Sequence, residues 1–145
     1  MMNSAWLSVL RRYVLFLAPA HLAWEAVQLP LYTLWREGAP RELVIAVVHC
    51  TGGDLLIAVA ALVLALLPAG RGWPEERRAY IRVAALTVVF GVLYTIFSEW
   101  LNVVIRQTWA YAEIMPVVPV IGTGLSPLLQ WIAIPLAAFR FARPR

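Results

Sequence analysis

The sequence has no lysine, a single cysteine, few charged residues and no polar stretch long enough to form a soluble domain. Each shortage excludes something. With Cys50 alone there can be no internal disulfide, and the thiol reads first as a small buried hydrophobe. Only 14% of the 145 residues are charged, against about a quarter in soluble domains, so the surface is not built for water. The net charge of +4 is carried by arginine alone. These arginines sit in short segments between apolar runs, which suits membrane orientation and argues against nucleic-acid binding. Arginine without lysine, together with abundant alanine, suggests a GC-rich bacterial genome and hence a bacterial inner (plasma) membrane. The chain has no internal repeat and no low-complexity segment.

What is present is hydrophobicity. Apolar residues make up 62% of the chain, and the mean hydropathy is +0.76. Four apolar runs predict an all-α, polytopic bundle of four transmembrane helices in a single domain over 1–145, with spans near 13–35, 43–67, 80–105 and 117–139. The first run, at about 1.5 Å per residue, reaches about 34 Å, slightly more than the hydrocarbon core. Arg11-Arg12 followed by Ala18-Pro19-Ala20 is similar to a twin-arginine signal, but the apolar stretch before that cleavage site is too short and hydrophobicity continues through Trp35.

The spans carry polar side chains at helical spacing. His21, Glu25 and Gln28 fall at i, i+4, i+7 on the first, and Thr95, Glu99, Asn102 and Arg106 continue that pattern on the third. The second span holds His49, Cys50, Thr51, Gly52, Gly53 and Asp54, where the glycine pair is expected to let another backbone approach. Asp54 is expected to cap an irregularity at the glycines or to pair with Arg106. On the fourth, Thr123, Ser126 and Gln130 share a face with Trp131 beside it, and Pro119, Pro127, Pro135 and the Gly122-Thr123-Gly124 run suggest kinking or unwinding. A carboxyl group at such depth costs several kcal/mol unless it faces protein, water or a partner.

With four spans both termini share a side with the 68–78 loop. That side holds Arg11, Arg12, Arg71, Arg77, Arg78, Arg82, Arg140, Arg143 and Arg145, and the other holds Arg36, Arg41 and Arg106. The positive-inside rule therefore places both termini in the cytoplasm. Counted from the outer end of each span, Glu25 lies about 15 Å deep, Asp54 about 17 Å and His21 about 21 Å. Gln28, His49 and Glu99 lie about 9–11 Å deep, and Asn102 about 5 Å. The polar residues thus gather in the outer half, while the inner half is apolar. That distribution predicts a pocket rather than a channel, which would need polar residues along its full length.

Two histidines with carboxylates are also an inventory for a metal or haem. However, His49 and Asp54 are about 140° apart on their helix, and His21 and His49 differ in depth by about 12 Å. No cofactor and no metal ligand is assigned.

Three stretches resemble the emopamil-binding protein and sigma-2 receptor superfamily, whose domain is called EXPERA. His21-Leu22-Ala23-Trp24-Glu25 is similar to that family's His-x-x-x-Glu helix. Gly91-Val92-Leu93-Tyr94-Thr95-Ile96-Phe97-Ser98-Glu99 matches its acid after an apolar run, and Trp131-Ile132-Ala133-Ile134-Pro135 looks like its Trp-x-x-x-Pro. The three cover about a quarter of the chain, in the family's order. Where the family has an asparagine one turn before the tryptophan, this chain has Leu128, with Gln130 nearby. The resemblance implies a small membrane protein holding a sterol, isoprenoid or other lipophilic molecule, in one branch shifting a double bond. It also implies functional roles for His21, Glu25, Glu99 and Trp131.

The residues support such chemistry independently. Shifting a double bond needs an acid for one carbon and a base for another. A desolvated carboxyl can remain a neutral acid near pH 7, and an indole face stabilises an intervening cation. The expected site therefore has Glu25, His21 and Glu99 as acid–base residues and Trp131, Gln28, His49, Asp54, Asn102 and Gln130 around the ligand. Two other readings stand beside it: an accessory or structural subunit, as a homo-oligomer or in a larger membrane complex, and a metal- or haem-binding redox protein.

Overall fold

The computed structural model describes residues 4–70 and 72–144. Arg71 and Arg145, two of the arginines counted for orientation, lie outside the described residues. The fold is all-α, and among the described residues four helices are long and apolar enough to cross a bilayer. Helix α1 (Ser4–Gln28) runs into a 3₁₀ turn (Leu29–Leu31), and the short α2 (Leu34–Glu37) leads to α3 (Pro40–Leu66). Helix α4 (Arg77–Glu99) widens into a π-helical segment (Trp100–Ile105), and α5 (Leu125–Ala142) closes the chain. Helix α1 packs on α5, α5 on α4, α4 on α3 and α3 on α1, which completes a four-helix ring.

Local chemistry sets several boundaries. Helix α1 starts well before residue 13, because Val9, Tyr13 and Leu17 form one buried stripe that continues to His21. Arg11 and Arg12 therefore lie within this helix. Its regular ladder stops at Gln28, as Pro30 has no N–H to donate to the preceding turn. Helix α3 opens with Pro40, which lacks a donor that would be unpaired there anyway, while Glu42 Oε2 accepts from the Ala39 N–H at 2.7 Å.

The fourth helix begins at Leu125, eight residues later than the sequence pattern suggests. Residues 117–124 form a tight turn instead, with a Val117–Gly124 bridge and a Val118 N–H to Thr123 O bond of 2.9 Å. Proline and glycine explain the interruption. Pro119 cannot donate to a helical ladder, and Val120 and Gly122 adopt φ of 75° and 69°. Thr123 consequently sits before the helix and shares no helical face with Ser126 and Gln130.

The two ends of the bundle differ. At one end the N-terminal helix, the α3–α4 loop and the C-terminal helix meet. Trp6 packs edge-on to Trp73 at 4.4 Å, Tyr13 lies 4.7 Å from Phe139, and Tyr80 Oη donates to Phe139 O at 2.6 Å. Below them Ala58, Leu62, Ala65, Val83 and Ala138 fill an apolar core. At the other end residues 106–124 fold back over the helices. Thr33 N–H donates to Ala110 O at 3.0 Å and Ala112 N–H to Leu31 O at 2.9 Å. Outward, large apolar side chains such as Leu15, Leu56, Leu93 and Ile132 are exposed around every long helix. A surface of that kind matches hydrocarbon, not water.

Candidate functional site

Polar side chains from α1, α3 and α5 converge at the level where the apolar core ends. Gln130 is the hub. Its Nε2 lies 2.9 Å from Glu25 Oε1, 2.7 Å from Asp54 Oδ2 and 3.0 Å from His21 Nδ1. An amide nitrogen has two hydrogens, so three acceptors cannot all be served. The count closes when His21 carries its hydrogen on Nδ1 and donates it to Asp54 Oδ2, 3.2 Å away. Gln28 extends the cluster: its Nε2 donates to Glu25 Oε1 at 2.8 Å, and its Oε1 accepts from Ser126 Oγ at 2.8 Å. His21 is fully buried, and its Nε2 has no partner among the described residues. Asp54 thus pairs with His21 and Gln130, not with Arg106, which is exposed.

This cluster forms one wall of a half-enclosed cavity of about 410 Å³ to which all four long helices contribute. Glu25 and Gln28 line it from α1, Asp54 from α3, Glu99 from α4, and Gln130 and Trp131 from α5. Apolar Leu29, Ala46, Val47 and Ile57 cover much of the remaining wall. His21 stands behind Gln130, its ring 5.4 Å from Trp131. Its exposed lining residues are His49 on α3, Tyr94 on α4 and Thr108 in the 106–124 loop. Asn102 is not on the cavity. Its amide turns back to Ser98 O at 2.9 Å and its Oδ1 accepts from Thr108 at 3.0 Å, stapling the end of the π segment.

Glu99 is held separately. The Tyr111 hydroxyl donates to its Oε2 and accepts from Gly124 N–H at 3.0 Å. Burial, with the Glu99 contact next, pushes the Tyr111 phenol above its usual range, so it remains a donor. The 106–124 loop therefore reaches into the bundle to hold an acid. Helical spacing identifies neither Tyr111 nor Tyr32, which lines the cavity, since both lie outside the long helices. Tyr111 and Trp109 read from sequence as interface aromatics. In the fold Trp109 lines the cavity beside Glu99.

The glycines exchange roles. A Cβ on Gly52 or Gly53 would meet nothing within 4 Å, so this pair admits no backbone neighbour. Gly53 instead keeps part of the cavity empty. The close approach is at Gly91, where a Cβ would run into the Trp131 ring. Gly91 therefore sets how far Trp131 lies towards α4.

Among the described residues no group of three or more His, Cys, Asp or Glu side chains is placed to hold a metal ion. The arrangement sets hydrogen-bonding and ionisable side chains beside apolar walls. The chain matches no known protein-family model, no curated protein and no solved structure.

Proposed function

We propose that this membrane protein binds a lipophilic molecule in the bundle cavity, in the manner of the EXPERA-like proteins its sequence resembles. The observation that carries this reading is the cavity's composition: three carboxyl groups, Gln28, Gln130 and Trp131 set against apolar Leu29, Ala46, Val47 and Ile57. Apolar wall and clustered polar groups together suit an isoprenoid, sterol-like or amphiphilic amine ligand better than a soluble metabolite. The resemblance adds support, since Glu25, Glu99 and Trp131 line the cavity and His21 adjoins it. A bacterial inner membrane fits the arginine-only composition.

Catalysis would use the same groups. One carboxyl gives a proton to a double-bond carbon, a second group removes a proton two carbons away, and the ring of Trp131 faces the cation between the steps. Glu25, with Asp54 and His21 behind it through Gln130, is the acid–base candidate on one side, and Glu99 on another.

An accessory or structural role is favoured by a different observation, the number of hydrogen bonds the cluster makes within itself. Glu25→Gln separates the two, because the amide keeps volume and most hydrogen bonding while losing the ionisable group. Purified protein is extracted and its copurifying small molecules are identified by mass spectrometry. Wild type is expected to carry one lipophilic species, and Glu25→Gln to lose most of it at little change in melting temperature. An unfolded variant, or one with unchanged ligand content, means that the cluster only locks helices together.

A further inference from the structure

A second recess lies at the opposite end of the bundle, between α4 and α5, with a volume of about 430 Å³. Its rim carries three exposed arginines, Arg77, Arg140 and Arg143, against one carboxylate, Glu75. Below the rim the wall turns apolar: Ile81 and Ala84 follow Arg77 along α4, and Leu136 precedes Arg140 along α5. Arg77 to Ala84 spans about 10 Å of helix rise, so the groove leads from the membrane interface into hydrocarbon depth. The first turn of α4 has no side-chain cap, which adds the positive end of its dipole at the same level.

We infer that this groove is a binding site for an anionic phospholipid, its phosphate among Arg77, Arg140 and Arg143 and one acyl chain along Ile81, Ala84 and Leu136. The charge excess selects an anion, and guanidinium groups pair with phosphate oxygens through paired N–H donors. A soluble anion would leave the apolar wall unused, and a zwitterionic lipid would bring a cationic group to an already positive rim. The arginine-rich end is also the one that the positive-inside rule assigns to the leaflet richest in anionic lipid. The site is independent of the ligand proposed for the central cavity.

The test uses the full chain in micelles containing equal amounts of palmitoyl-oleoyl phosphatidylglycerol and phosphatidylcholine, with bound lipid counted by native mass spectrometry. Each arginine near an anionic group contributes a factor of about five, so wild type is expected to retain phosphatidylglycerol by at least about ten-fold over phosphatidylcholine. The combined Arg77→Gln, Arg140→Gln and Arg143→Gln variant should bring this ratio to about one. Should that variant not fold, Arg140→Gln alone should lower it about five-fold. Ala84→Phe keeps the charges but fills the wall, and should release bound lipid without a change in melting temperature. A wild-type ratio near one, or an unchanged ratio in any folded arginine variant, overturns the site. So does loss of the preference in millimolar inorganic phosphate, which would mark a simple anion site.

Discussion

Gly91 and Trp131 show how much of the site rests on one missing atom. An alanine methyl at position 91 would enter the indole ring, which is itself packed and only 2% exposed. Overpacking of this kind costs about 1–3 kcal/mol, so Gly91→Ala should lower the melting temperature by several degrees. Gly52→Ala adds the same methyl where nothing lies within 4 Å, and should change stability by less than about 0.5 kcal/mol. Thermal denaturation of both variants in one detergent makes the comparison, and equal shifts would remove the close approach from the description. Sequence reading puts the contact at the adjacent glycines of α3, because a Gly-Gly pair advertises itself. A single glycine gives no such signal, as its partner Trp131 is 40 residues away and only the tertiary fold brings them together. His21, Glu25 and Asp54 are legible because an ionisable group in an apolar run is costly unless it faces inward. Gln130 is legible as a polar member of a helical face, but its position as the amide joining all three is not, since helix rotations fix that.

Element by element, the sequence pattern locates the long helices and misplaces their ends. Helix α1 begins before the apolar run, through Arg11-Arg12, and apolar residues precede the start of α5, so hydropathy alone cannot see where the ladder begins. The turn at 117–124 is apolar yet irregular, and its backbone is decided by Pro119, Gly122 and a valine in the left-handed region. Val120 is fully exposed at φ 75°, where a β-branched side chain is strained. Val120→Gly should therefore stabilise the turn by about 1–2 kcal/mol with no loss of packing, and raise the melting temperature. A fall instead would mean that the turn does not hold this conformation. The same stretch carries Gly124, whose N–H donates to the Tyr111 hydroxyl that in turn donates to Glu99, so an irregular segment anchors a site residue. That link has no periodicity by which it could be read.

At the scale of the whole molecule, the bundle has a polar cavity at one end and an apolar core in the other half, with arginines around that second end. If all four apolar helices cross the membrane, both ends of the described chain share a side with the α3–α4 loop, and the arginine count leads us to propose that this side is cytoplasmic. Single cysteines at positions 72 and 144, on a background with Cys50 replaced, should resist a membrane-impermeant maleimide added from outside intact cells, and labelling of either would reverse the topology. The ligand-binding cavity is tested most directly by filling it. Gly53 lines the cavity while its neighbour Gly52 is exposed on the outside of the same helix, and neither has an atom within 4 Å of an added Cβ. Gly53→Leu and Gly52→Leu thus make the same chemical change on opposite sides of one wall. Copurifying lipophilic molecule per protein, measured by extraction and mass spectrometry, is expected to fall several-fold in Gly53→Leu and to stay at the wild-type level in Gly52→Leu, both folded. Equal occupancy in the two variants, or no bound lipophilic molecule in the wild type, would contradict a ligand in the bundle cavity.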